Sequence, residues 1–210
     1  MHSFLPFSCQ SIPIDPHSRL TNPTSTGIGA GITAALLQRP NTTVIATSRK
    51  PLSTTEPPAP PASGSKFISF LLDEENPEIT SATLAARLEK ETGITKLNVV
   101  IANAGDSAGF SDVAGTNPDD MLYDFRVNSV GPAKLFRACW PLLDHDSGEV
   151  GQEKKFAVVS SSIGSIGLQF LDNLPGLAYG MSKAALNYFA VSAAVQFKEK
   201  GLLVGVIHPG

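Results

Sequence analysis

Short apolar, β-branched runs alternate along this chain with stretches whose apolar residues recur every three or four positions. The runs at 43–48, 67–72, 96–102, 156–160 and 202–207 have the length and composition of buried strands. Between them, 32–38, 81–91, 119–143 and 177–200 carry helical spacing. In the last of these Leu186, Phe189, Ala190, Ala193 and Phe197 share one face, and Gly93 and Gly201 stand where the second and fourth helices would stop. Gly131-Pro132 falls inside the third helix, where proline removes a hydrogen bond and predicts a kink. Strands alternating with helices predict an α/β fold, a doubly wound parallel sheet with helices on both faces.

Two segments depart from the pattern. Residues 1–23 carry four prolines and little periodicity and read as irregular, with the regular domain spanning 24–210. The stretch 51–65, rich in proline and serine, reads as a surface loop without chemistry.

Composition narrows the possibilities. The chain has 210 residues, enough for one domain, and 42% hydrophobic residues, enough for a sizeable core. No apolar run approaches the roughly 18–20 residues of a membrane span. A net charge of −3 gives no electrostatic reason to expect nucleic acid or an acidic membrane as partner. Cys9 and Cys139 form no disulfide framework, and His2, His17, His145 and His208 are too scattered for a metal site. A reduced, cytoplasmic setting is expected.

Candidate chemistry clusters where strands end. Tyr179 and Lys183, four apart on the last helix, project from one face. A lysine ammonium beside a phenol is expected to lower the tyrosine pKa from roughly 10, making it a usable proton donor and acceptor. Such a pair also arises by accident on exposed helices, so its weight comes from its surroundings. Gly27, Ile28 and Gly29 open the first helix, where small residues let backbone N–H groups approach a phosphate. Arg49 and Lys50 follow the strand at 43–48. A basic pair there suits the 2′-phosphate of NADP, whereas NAD would favour an acidic residue; a solvated loop charge is the plainer alternative.

These features, in this order, resemble the short-chain dehydrogenase/reductase family over residues 24–210. The resemblance rests on Gly27-Ile-Gly29, Asn103-Ala-Gly105, Asn128, a strand ending in Ser-Ser, Tyr179-x-x-x-Lys183 and Pro209-Gly210. Gln38-Arg-Pro40 and the run 179–187 are most similar to fungal polyketide ketoreductases and carbonyl-reductase-like relatives. The resemblance implies a Rossmann-like fold and a reductase exchanging a hydride between NADP(H) and a carbonyl or secondary alcohol. It implies Tyr179 as general acid/base, Lys183 as its partner and a ligand of the nicotinamide ribose, and Ser162, before Ile163-Gly164, as the oxyanion stabiliser. Ser160 and Ser161 would be structural neighbours. Asn128 would position a water, Asp73 would approach the adenine, and Asn103, Ala104 and Gly105 would line the cofactor channel, with Pro209 and Gly210 at its far side. A homodimer or homotetramer is implied.

The departures are specific. Pro23 occupies the family's first glycine position and Asn22 replaces its threonine. The segment 12–16 does not resemble the apolar strand that should lie at the centre of the sheet. Both ends therefore predict a version lacking a normal first strand and the C-terminal strand and helix. The stretch 168–177 is expected to carry an insertion in the substrate loop. The alternative to an active reductase is a catalytically impaired or non-catalytic member acting through association with another subunit. A P-loop hydrolase is excluded because no Gly-Lys-Ser/Thr follows the glycine turn.

Overall fold

Six parallel strands in the order β3-β2-β1-β4-β5-β6 form the spine of the computed structural model. The structure describes residues 18–22, 27–50, 57–73, 76, 78–145, 154–172 and 175–210. The strands are β1 (Ser18–Asn22), β2 (Thr43–Ser48), β3 (Lys66–Leu71), β4 (Val99–Ala102), β5 (Lys154–Val159) and β6 (Leu202–Ile207). The helices are α1 (Gly27–Leu37), α2 (Leu84–Thr92), α3 (Pro118–Phe125), α4 (Gly131–Leu143), α5 (Ile166–Asp172) and α6 (Leu177–Gln196). The doubly wound parallel architecture is the one the alternating pattern predicts.

The first strand corrects an expectation. Residues 18–22, assigned to an irregular segment, form β1 at the centre of the sheet, with Leu20 opposite Ile45 on one side and Val100 on the other. A ladder is made by backbone N–H and C=O groups, which every residue but proline supplies in full, so a polar sequence between two apolar strands can still pair. Leu20, fully buried, joins the main core. The segment expected to be irregular up to residue 17, the glycine-turn position Pro23 with the rest of 23–26, part of the loop expected at 51–65 (51–56), and residues 146–153 lie outside the described residues.

The two faces of the sheet are covered differently. On one, Leu84 and Leu88 of α2, Leu135, Phe136, Cys139 and Leu142 of α4, and Leu186, Ala190 and Ala193 of α6 pack with Leu20, Ile45, Val100, Phe156 and Val158. Phe136 anchors this layer, meeting Phe156 edge-on with ring centroids 5.0 Å apart and Phe189 at 5.8 Å. On the other face Leu36 and Leu37 of α1 pack with Val44 and Ile101. β6 forms the sheet edge, with Leu203 and Ile207 exposed.

The predicted kink takes a definite form. α3 and α4 are joined by a π-helical turn, Arg126–Val130, in which the Gly131 N–H bonds the Arg126 carbonyl. Pro132 has no N–H to give the carbonyl four residues back, that of Asn128, and the wider turn relieves the clash its ring would make there. Asn128 therefore sits at the widest point of a continuous helical rod.

Because Leu20 is the core anchor of the central strand, Leu20→Ala is expected to destabilise the chain by about 2–5 kcal/mol. Leu203→Ala at the exposed edge should cost no more than about 0.5 kcal/mol. Urea unfolding of the two variants checks the difference, and equal losses would contradict the central placement of β1.

Candidate active site

In an all-parallel sheet every strand ends on the same side, and here the chain reverses its direction of travel across the sheet between β1 and β4. The crevice at such a reversal, outside the carboxyl ends of the strands, is where open α/β sheets bind nucleotides. Gly27, Ile28 and Gly29 begin α1 there, and Gly27 has φ +62°, a conformation that favours glycine. Arg49 follows β2 and is exposed; Asp73 follows β3; Asn103, Ala104 and Gly105 follow β4. Pro209 and Gly210, also exposed, follow β6. The Arg49 charge acts on Tyr123 of α3, opposing the rise in its pKa.

Asn128 organises the middle of the site. Its Oδ1 accepts from the Asp106 N–H at 2.9 Å, and its Nδ2 donates to the Asp106 carbonyl at 2.7 Å and to Ser182 Oγ at 2.9 Å. Ser129 Oγ donates to the Ser182 carbonyl at 2.7 Å. The π turn is thus stitched both to the chain after β4 and to α6. At Gly105 a Cβ would lie 3.2 Å from Asn128 Oδ1 and 3.2 Å from Lys183 Nζ, so glycine there keeps the floor of the crevice open. These features fit a dinucleotide: a reversal crevice, a glycine-led helix N-terminus and a floor on which any side chain would crowd the lysine.

Lys183 is only 2% exposed, and its Nζ donates to the Val159 carbonyl at 2.9 Å. It lies 5.4 Å from the centre of the Tyr179 ring. Tyr179 is half-buried, and the Ser161 hydroxyl at the end of β5 acts on its phenol. Ser162, expected to hold the substrate oxygen, is the next residue along the chain. Ser162 begins a 3₁₀ turn, Ser162–Gly164, so the chain rotates away just after Ser161 leaves the strand end in extended conformation. The turn lies close against α6: a Cβ on Gly164 would meet the Lys183 backbone at 2.8 Å. Ser160 is structural, its Oγ donating to Asn187 Oδ1 at 2.6 Å while Asn187 Nδ2 donates to the Gly164 carbonyl at 3.2 Å.

The electrostatics correct a second expectation. Tyr179 is raised above its ordinary value, first by burial and then by the Asp124 carboxylate, with the Ser161 hydroxyl opposing. Lys183 is lowered to about 8 by burial, against the pull of Asp124. Burial and the Asp124 carboxylate, rather than the lysine, therefore set the direction of the phenol's shift. Asp124 and Ser161 are the neighbours of Tyr179 that sequence reasoning did not single out. A Ser-x-x-Gly reading of 161–164 would have found the serine.

A wall of apolar groups flanks the tyrosine. The Phe110 ring sits 6.1 Å from that of Tyr179, and a Cβ on Gly176 (φ +109°) would come within 2.7 Å of it. The Ser111 carbonyl accepts from Gly176 and Leu177, tying this loop to the start of α6. α5 covers residues 168–172 of the stretch 168–177 expected to hold an insertion, and its Ile166 and Phe170 are exposed.

Comparison with known proteins decides the family. The model of the short chain dehydrogenase family matches residues 23–210. This chain is a short-chain dehydrogenase. The family comprises NAD(P)-dependent oxidoreductases acting on carbonyls and alcohols. The dehydrogenase is 37% identical over 194 residues to the short-chain dehydrogenase srdF of Neurospora crassa, covering 88% of this chain and 71% of that protein. It is 32% identical over 191 residues to the norsolorinic acid ketoreductase of Aspergillus parasiticus, covering 89% and 67%. Among solved structures, the NADPH-bound carbonyl reductase from chicken fatty liver superposes with a TM-score of 0.76 at 25% identity, covering 93% of this chain and 79% of that one. Carbonyl reductase Sniffer of D. melanogaster gives a TM-score of 0.76 at 25% identity, covering 93% and 80%. Among the described residues no helix is long and apolar enough to cross a membrane.

The lowered Lys183 has a stability consequence with a definite sign. Between about 8 in the folded chain and its ordinary 10.5, the unfolded chain binds the extra proton, so rising pH favours folding across that window. Lys183→Met removes this contribution. Thermal unfolding is expected to show wild type gaining on Lys183→Met by several degrees as pH rises through that window. A difference that stays constant with pH would contradict the buried, proton-poor lysine.

Proposed function

We propose that this short-chain dehydrogenase is an NADP(H)-dependent ketoreductase, with Tyr179 as general acid/base. The observation that carries the reading is the convergence, past the carboxyl end of one strand, of the Ser161 hydroxyl that acts on the Tyr179 phenol and of Lys183 beside the same ring. When bound, NADP(H) supplies or takes up the hydride. Gly27, Ile28 and Gly29 would receive the phosphates at the start of α1, with Arg49 by the 2′-phosphate and Asp73 by the adenine. Asn103, Ala104 and Gly105, with Pro209 and Gly210, would flank the nicotinamide half. The exposed Arg49 after β2, and the NADPH named with the chicken carbonyl reductase, support NADP over NAD.

In the reductive direction the Tyr179 hydroxyl gives its proton to the substrate oxygen, and in the oxidative direction the phenolate takes it back. Ser161, in place of Ser162, holds that oxygen through its own hydroxyl and stabilises charge developing on it. Lys183 contributes positive charge beneath the phenol and would bond the nicotinamide ribose. Asn128 keeps the chain after β4 in place and leaves its carbonyl, which Pro132 cannot satisfy, to hold a water.

Phe110, Ile166 and Phe170 favour a bulky apolar or aromatic ketone, and a norsolorinic acid ketoreductase is among the relatives. A cytoplasmic location goes with this reading. So does a homodimer or homotetramer through α3 and α6, where Leu122, Tyr188 and Val195 expose apolar surface. That surface also favours the second reading, a silent member that acts only by association.

Tyr179→Phe separates the two. It is expected to lower NADPH-dependent reduction of an aromatic ketone at least a hundredfold while leaving NADPH binding within a few fold. Unchanged turnover in the variant would overturn the role of Tyr179, and a wild type that binds NADPH but reduces no ketone would favour the silent reading.

A further inference from the structure

Lysine is rarely buried this deeply without a counter-charge, because an unpaired ammonium loses its hydration for nothing in return. Among the described residues two lysines are buried, Lys154 and Lys183. Lys154 has Asp144 at 3.4 Å, whereas the bond shown for Lys183 Nζ is to a neutral carbonyl. Among the same residues Asp124 is the one buried carboxylate, 0% exposed. Its Oδ1 accepts from the Ala108 N–H at 2.8 Å, and its Oδ2 is buried with no hydrogen-bond partner. Asp124 lies one helical turn before Asn128 and on the same face. That face is the one bonded to Ser182 and lying under Gly105, whose added Cβ would touch Lys183 Nζ.

We propose that Asp124 is the counter-charge of Lys183 and a positioning residue for the Tyr179–Lys183 pair. Its carboxylate clamps the chain after β4 through Ala108, as Asn128 clamps it through Asp106, and keeps its second oxygen free to act on α6. The charges bearing on Asp124 are Asp120 from its own helix, Asp106 from the chain after β4, and Lys183 from α6, with Tyr179 also within its field. Tyr123 donates to Asp106, and the Arg49 charge acts on Tyr123. The lysine is the cation on α6, so removing the carboxylate should make both Lys183 and Tyr179 give up protons more readily. The functional meaning rests on the ketoreductase reading; the electrostatic coupling does not.

The test is a tyrosine titration in the full chain. The three tyrosines, Tyr123, Tyr179 and Tyr188, are labelled with ¹³C at the ζ carbon and followed by NMR over roughly pH 8–11, with Tyr179→Phe giving the assignment. Asp124→Asn keeps an acceptor for the Ala108 N–H, so a purely structural clamp predicts no change. The counter-charge predicts that the Tyr179 midpoint falls by about one unit while the exposed Tyr188 stays put. An unmoved Tyr179 overturns the proposal. Should Asp124→Asn fail to fold, the double variant Asp124→Asn/Lys183→Met is expected to recover cooperative unfolding, since it removes both buried charges together. If the double variant also fails to fold, the proposal is overturned. Absent NADPH turnover would sink the ketoreductase reading and leave the titration result standing.

Discussion

Keeping a lysine almost wholly out of water at the start of a helix constrains everything around it. Lys183 is anchored by the Val159 carbonyl at the end of β5, so α6 must run across that strand at a fixed height. Gly164 lets the turn after β5 approach the lysine's backbone, and Gly105 lets the chain after β4 pass beside its ammonium. The π turn, forced where Pro132 cannot donate, puts Asn128 where it can hold both that chain and Ser182. Burying an ion costs several kcal/mol even after relaxation, and the glycines, the carbonyl and Asp124 are what make the arrangement tolerable. The same arrangement sets the chemistry, because the phenol, the Ser161 hydroxyl and the ammonium are brought together by it.

Most of the architecture could be read from the chain. Thr43–Ser48 and Val99–Ala102 are short runs rich in β-branched residues and covered on both faces, and a run of that kind is hard to mistake. β1 was not legible, since Leu20 is its one apolar residue and its pairing depends on backbone between two neighbours far away in sequence. The kink at Gly131-Pro132 was legible as a disturbance. Its π form was not, because that depends on which carbonyl the turn gives up.

The site was legible in part for the same reasons. Tyr179 and Lys183 share a helix, so a four-residue spacing predicts their common face. Ser161 and Ser162 differ only in the angle at which the chain leaves β5, which the packing of Gly164 against α6 decides. Asp124 escaped notice because an acid in an amphipathic helix reads as a solvent-facing residue. Its burial appears only once α3, α6 and the chain after β4 are assembled. The direction of the Tyr179 shift was likewise out of reach, being set by burial and the Asp124 carboxylate together against the Ser161 hydroxyl rather than by spacing.

The central claim is that β1, despite its polar sequence, completes a crevice whose residues receive NADP(H). The most direct measurement is thermal unfolding of the 210-residue chain with NADPH and with NADH, alongside a fluorescence titration of each. Saturable NADPH binding, with a rise in melting temperature that grows with ligand concentration and exceeds that with NADH, is the predicted result. A cooperative transition that neither nucleotide moves would contradict the account.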